Sequence, residues 1–360
     1  MSRLRVAVLF GGRSDEHEVS LMSARSVLQH LNPARYQVYP IGITREGAWL
    51  FGPDAREALA QGRTAGLQPV FLPADPTRAG LWAWRDGLVQ RLTQVDVVFP
   101  VLHGPWGEDG TLQGLLEMAG VPYVGAGVAA SALAMDKGLF KDVMRAHGLP
   151  VVPYAVFTRH QWRRTPQAVL EAAEALGPYP LFTKPANLGS SVGIRKVRTR
   201  AELQAGLDEA ARYDRRLVVE VGIDRAREIE VSVLGNDEPE ASVPGEVVPA
   251  AEFYTYEAKY LDAGSQLLIP APLPADLTRR VQALALQAYR AIDAAGMARV
   301  DFLLDPREGA LYISEINTLP GFTPISMYPK LWAASGLDYP ALLDRLIALA
   351  LERAHERGRA

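Results

Sequence analysis

The sequence predicts an α/β protein of three modules, the first an open, mostly parallel, doubly wound sheet. Three observations carry this. The first third of the chain alternates short apolar runs with helical patterns, the order of repeated β-α-β units. From about Ser131 the pattern changes to strands joined by connections too short for parallel crossovers. A final strand pair turns tightly at Asp305-Pro306-Arg307-Glu308-Gly309. The boundaries fall near 125 and 219, giving modules 1–125, 126–219 and 220–360.

The elements follow in order. Residues 5–10 form a continuous apolar run ending in Gly11-Gly12, as a buried parallel strand does. Leu21, Ala24, Leu28 and Leu31 recur at helical spacing, and Asn32-Pro33 closes that helix. Residues 36–44 and 95–102 read as strands, the second leading through Gly104, Gly107 and Gly110 into a helix at 111–119 and a short strand at 121–124. Residues 53–80, rich in Pro, Gly and Ala, read as an irregular excursion. The second module predicts one helix at 131–147, strands at 151–157, 180–184 and 194–197, a helix at 200–213 and a strand at 216–221. The third predicts strands at 228–234 and 240–248, a polar loop near 249–265, a helix near 275–295, and a hairpin of 298–304 with 310–316.

Composition narrows the function classes. Hydrophobic residues at 48% and charged residues at 22% fit a soluble globular protein. The absence of cysteine excludes disulfides, thiolate metal sites and a cysteine nucleophile, and fits a cytoplasmic location. The amino-terminal run reads as a first strand, not a signal peptide, and no apolar stretch reaches the ~18 residues of a membrane span. A net charge of −3 argues against a nucleic-acid partner, yet a small anion needs only a few placed lysines. Neither the dinucleotide Gly-x-Gly-x-x-Gly pattern nor a Walker loop is present.

The chemistry-bearing residues lie in four places. Lys137 interrupts an apolar stripe of Leu133, Phe140 and Met144, so it either snorkels past the edge or meets a ligand. Lys184 ends an apolar strand stopped by Pro185, and Gly189-Ser190-Ser191-Val192-Gly193 follows. Such a hairpin tip is either a plain turn or an oxyanion cradle; with two inward lysines it suggests nucleotide phosphates. Arg299 and Asp301 share one strand face, Glu315 and Asn317 share another, and the tight turn places Asp301 roughly opposite Ile313, a pleat from Glu315. Two carboxylates and an amide oxygen suit a hard cation, the alternative being an outward face where Arg299 pairs Asp301. Glu16, in the strand-to-helix loop 11–18, is placed where a doubly wound sheet binds ligands, and His103 sits at a strand end before a glycine-rich loop.

Several of these segments are similar to those of one known family. Phe10-Gly11-Gly12-Arg13-Ser14-Asp15-Glu16-His17-Glu18-Val19-Ser20 and Leu102-His103-Gly104-Pro105-Trp106-Gly107-Glu108-Asp109-Gly110-Thr111 resemble the amino-terminal signatures of the D-alanine–D-alanine ligases. Met135-Asp136-Lys137, Lys184-Pro185 with Gly189–Gly193, Glu257-Ala258-Lys259-Tyr260, Arg299-Val300-Asp301-Phe302 and Glu315-Ile316-Asn317-Thr318 follow in the family's order. The later motifs alone indicate only the wider ATP-grasp superfamily. The resemblance runs from residue 4 to about 350.

The resemblance implies an ATP-grasp architecture in which two α+β domains sandwich the nucleotide beside an amino-terminal substrate domain. It implies ATP-dependent joining of two D-alanine molecules through a D-alanyl phosphate, for peptidoglycan precursor synthesis. Lys137, Lys184, Ser191 and Lys259 are then nucleotide contacts, the strand at Glu220, Val221 and Ile223 holds adenine, and Glu228 the ribose. Asp301, Glu315 and Asn317 bind two magnesium ions, with manganese as an alternative and a monovalent cation also admitted. Glu16 anchors the first ammonium and links with Ser190 and Tyr260; His103 lines the substrate site. Arg299 and the Gly321 backbone stabilise the oxyanion, and Ser326 with Met327 receives the second carboxylate. The loop carrying Lys259 and Tyr260 is the expected lid, and the expected assembly is a cytoplasmic homodimer. The nearest rival is a ligase with D-lactate as acceptor, and a non-catalytic nucleotide-binding regulator is the rival of another class.

Overall fold

Strand β1 (Leu4–Gly11) is buried along most of its length, because apolar side chains leave both of its faces. Parallel neighbours flank it: β2 (Tyr36–Ile43) on one side and β7 (Val97–Val101) on the other. The helices His17–His30 and Thr111–Ala119 accompany these strands. The computed structural model describes residues 3–85, 87–189, 192–249 and 266–358.

Beyond β2 the expectation of a mostly parallel sheet needs correction. The order is β6-β5-β4-β3-β2-β1-β7, and β3 (Trp49–Phe51), β4 (Gln68–Phe71), β5 (Leu81–Arg85) and β6 (Leu88–Thr93) are added antiparallel. The reason is connection length. Thr44–Ala48 closes a tight turn, with Gly47 at φ 98° and Thr44 N–H donating to Ala48 O, and no crossover fits there. The supposed excursion therefore holds the helix Ala55–Ala60 and strand β4, which lies between β3 and β5 in the sheet.

The second sheet, β10-β9-β11-β8, is antiparallel throughout: β8 (Tyr154–Thr158), β9 (Leu181–Pro185), β10 (Arg195–Val197) and β11 (Arg216–Val221). The third runs β15-β14-β12-β16-β17, with β13 (Glu240–Ala241) beside β12 (Arg227–Gly235). Its other members are β14 (Gly245–Val248), β15 (Gln266–Leu268), β16 (Gly296–Leu304) and β17 (Leu311–Asn317). The single strand expected at 240–248 is thus divided in two around Pro244, whose ring removes a ladder donor.

Between the first two sheets the expected single helix is two, Val128–Met135 and Lys137–Ala146. Asp136 breaks them, extended at ψ 101°, and its Oδ1 accepts from the N–H groups of Gly138 and Leu139 at 3.0 Å each. A cap of this kind stabilises a helix start by about 1 kcal/mol. Lys137 is therefore a first-turn residue, not the middle of a stripe. Both helices pack on the third sheet, where Ala130, Phe140 and Met144 share a core with Val231, Val300 and Ile313. The helix Tyr339–Glu356 returns to the first sheet, putting Leu342, Leu346 and Ile347 into one core with Val8 and Phe10.

Candidate functional site

The second and third sheets face each other across a cleft lined by Lys184, Glu220, Val221, Ile223, Glu228, Asp301 and Glu315. Lys184 reaches it because β9 alternates: Thr183 is buried, and the lysine side chain points the other way. There it ion-pairs with Glu220 of β11, which is 2% exposed. Burial by itself would raise the Glu220 carboxyl, but the charges of Lys141 and Lys184 pull it down to about 2. Lys137 lies apart from this cleft. Its ammonium donates to Leu188 O, and it borders a second cavity.

The hairpin β16–β17 forms the floor between the two spaces. Asp301 does not sit across from Ile313, as regular pairing from a 305–309 turn implies. Pairing starts at Leu304 with Leu311, and a bulge at Ser314 then sets Asp301 directly opposite Glu315. On the other side Asp301 is in register with Glu230 of β12, so three carboxylates cross three adjacent strands in one row. The next row is Ser232, Arg299 and Asn317. Arg299 donates to both Asp301 oxygens at 2.7 and 2.6 Å and lies 2.9 Å from Glu230, while Asn317 Nδ2 donates to Asp301 at 3.1 Å. The Arg299–Asp301 pairing weighed from sequence is real, and it lies inside the cleft, not on an outward face. Oxygen donors from Asp301, Glu315 and Asn317 are chemically suited to magnesium, whose remaining positions phosphate oxygens fill. Among the described residues no group of three or more His, Asp or Glu side chains is placed to hold a metal ion.

The second cavity draws on residues from distant parts of the chain: Glu16, His103, Lys137, Gly189, Arg299, Gly321, Ser326 and Met327 border it. Glu16 stands at the start of the helix His17–His30, its side chain making no capping bond, and is held between glycines, since a Cβ at Gly104 or Gly189 would lie 2.6 Å from its Oε2. Burial pushes the His103 imidazole down to about 4, so it is neutral, set between Ser23 Oγ at 3.2 Å and Leu319 O at 3.1 Å. Ser326 starts the helix Met327–Ala334 and receives the Thr323 N–H at 3.0 Å. Such a helix start presents backbone N–H groups to an anion.

Two acidic residues escaped the sequence reading. Glu108 borders this cavity, accepts from Gly104 N–H at 2.8 Å, and is pushed up to about 8, first by burial and then by Glu16. Glu230 holds Arg299. The alternation Glu228-Ile229-Glu230-Val231 was the available signal for Glu230, one polar and one apolar face. Ser190, Ser191, Lys259, Tyr260 and the proposed lid lie outside the described residues.

The chain has relatives of known family along its whole length. Residues 5–126 match the family model described as D-ala D-ala ligase N-terminus, and 143–348 the one described as D-ala D-ala ligase C-terminus. The D-alanine–D-alanine ligase of Heliobacterium modesticaldum is 54% identical over 359 residues, 100% of this chain and 98% of that protein. The ligase of the same name from Natranaerobius thermophilus is 48% identical over 360 residues, again 100% and 98%. Among solved structures, the D-alanine–D-alanine ligase from Coxiella burnetii aligns with a TM-score of 0.84 at 38% identity, covering 99% of this chain and 97% of that one. The VanG D-Ala:D-Ser ligase from Enterococcus faecalis aligns at 0.86 and 36%, covering 97% and 100%. Both family models and the full-length similarity to these ligases agree, and the chain belongs to the D-alanine–D-alanine ligase family.

Proposed function

We propose that this enzyme joins two D-alanine molecules into D-alanyl-D-alanine at the expense of ATP, through a D-alanyl phosphate, for peptidoglycan precursor synthesis. One observation carries the reading. A single cavity holds a buried carboxylate (Glu16), a guanidinium (Arg299) and a helix start (Ser326 and Met327), and it adjoins a lysine-bearing cleft across the carboxylate row. The geometry suits two amino acids and a nucleotide meeting at one floor.

Glu16 balances the ammonium of the first D-alanine, beside neutral His103. Lys184 and Lys137 attract phosphate oxygens from opposite sides of the floor. Asp301, Glu315 and Asn317 would hold magnesium, or manganese, which when bound neutralises charge on the transferred phosphoryl group. The Ser326 hydroxyl and the Met327 N–H take the second carboxylate, which aims its amine at the activated carbonyl. Arg299, anchored by Glu230, and the Gly321 backbone face the oxyanion that attack creates. Val221, Ile223 and Glu228 line the cleft that holds Lys184, and adenine and ribose take that place in this reading. Acyl phosphates hydrolyse readily, so the site must exclude water, and the 249–265 segment with Lys259 and Tyr260 is the proposed cover. The proposal includes a cytoplasmic homodimer acting on small molecules alone; among the described residues no helix is long and apolar enough to cross a membrane.

The test is phosphate release with ATP and D-alanine, L-alanine, D-lactate or D-serine, with products read by mass spectrometry. D-alanine alone should support release and give the dipeptide, and L-alanine should not. Preference for D-lactate or D-serine as acceptor near neutral pH overturns the assignment.

A further inference from the structure

Lys141 has no part in the chemistry above, yet it is 2% exposed, far below what a lysine adopts by default. It lies one turn beyond Lys137 on the same helix. A lysine that merely packs lays its stem on apolar surface and sends its ammonium to water. Here the ammonium itself is inside. Its Nζ stands 3.2 Å from Glu220 Oε2 and donates to the Ser314 carbonyl at 3.4 Å. Glu220 Oε2 makes no aligned hydrogen bond among the described residues, so charge holds the two together. The other oxygen of Glu220 pairs with Lys184. The contacts thus run from Ser314 of β17 through Lys141 and Glu220 to Lys184 on β9, linking both walls of the cleft.

The charge balance explains the arrangement. Glu220 fixes the Lys184 ammonium, but alone it would also neutralise it, and a neutral pair attracts no phosphate. A buried cation costs desolvation, and a methionine of similar length would remove that cost while leaving Glu220 paired with Lys184. Keeping a lysine therefore points to its charge. We infer that Lys141 is a positioning residue for ATP, supplying the second positive charge that leaves Lys184 a net unit to offer a nucleotide phosphate. This rests on the reading of Lys184 as a phosphate contact.

The experiment uses the full chain and compares wild type, Lys141→Met, the double variant Lys141→Met/Glu220→Gln, and Lys184→Met. For each, KM for ATP and kcat are measured at saturating D-alanine, with ATP affinity by calorimetry and circular dichroism to verify the fold. Lys141→Met should raise KM for ATP about tenfold or more with kcat held within about threefold, the size of one lost charge-assisted contact. The double variant removes one positive and one negative charge, frees Lys184 from its neutralising partner, and should recover most of the affinity. A merely structural lysine predicts no such recovery. Should Lys141→Met leave KM for ATP within about twofold, or the double variant bind no better than the single one, the inference is overturned. The Lys184→Met arm is separate: an unchanged KM there overturns the phosphate reading of Lys184 itself.

Discussion

Asp301 lies directly opposite Glu315 because Ser314 is the extra residue of a bulge, and without it Asp301 would face Ser314. The bulge aims both carboxylates at one face of the hairpin. Asp301→Asn and Glu315→Gln keep size and remove the charge a divalent cation needs. Each should lower turnover by about a hundredfold or more, as losing a main electrostatic stabiliser does. Initial rates across a magnesium titration decide it. Activity within a few-fold of wild type at low magnesium would mean that these carboxylates serve only Arg299.

Lys184→Ala and Lys137→Ala should each weaken ATP binding by about tenfold or more while the protein stays folded. Both lysines border open cavities, and Glu220 keeps Lys141 as a partner when Lys184 is gone. Calorimetric affinity near wild type in both variants would remove the nucleotide from the cleft of Lys184 and from the cavity of Lys137 alike.

Gly189→Ala tests the placement of Glu16. Its Cβ would come 2.6 Å from the Glu16 Oε2 atom, the far end of a flexible side chain, so Glu16 gives way and the backbone need not. KM for D-alanine should rise by about tenfold, the loss of one charged contact, with the melting temperature little changed. Gly114→Ala is the matched control. Nothing lies within 4 Å of a Cβ there, and in a helix interior alanine is worth about 1 kcal/mol over glycine. It should melt higher with unaltered KM; equal KM changes in both variants would count against Glu16.

The neutral His103 gives a pH signature. Its folded value of about 4 lies below the ordinary 6.5, so its contribution to stability is present above 6.5 and is lost as the pH falls towards 4. The displacement corresponds to roughly 3 kcal/mol. His103→Gln cannot titrate, and its melting temperature should fall less than that of wild type between pH 7 and pH 5. Parallel falls would show that other groups govern acid sensitivity.

Much of this was legible in the sequence because local rules and tertiary demands coincide. Residues 6–10 are apolar on every side, and only a central strand buries such a run. Arg299, Asp301, Glu315 and Asn317 could be assigned to faces by strand alternation alone. The exact partner of Asp301 could not, since a bulge depends on packing around Ser314 that no spacing rule reports. The break at Asp136 was available in principle as an acidic residue able to cap a helix, but the apolar stripe running past it masked the signal. Trp49, Phe51, Trp82 and Trp84 carry strand character amid glycine and proline, and turn residues outweighed it. Lys141 left no trace: a lysine within a helical pattern is ordinarily solvated, and its partners come from strands distant in the chain.

The helix Tyr339–Glu356 supplies Leu342, Leu346 and Ile347 to the core beneath β1, and Arg35 pairs with Asp344, 309 positions away. During synthesis the early strands therefore emerge with only part of their cover, from Leu21, Ala24 and Val27, and the rest of that core stays open to water or to chaperones until the late helix is made. The wait is long at ribosomal speed, about 15 seconds or more at 20 residues per second. The core against the first sheet is complete only once this helix is made, so a ribosome stalled before residue 339 yields an unfinished chain in which part of that sheet is an exposed, adhesive surface.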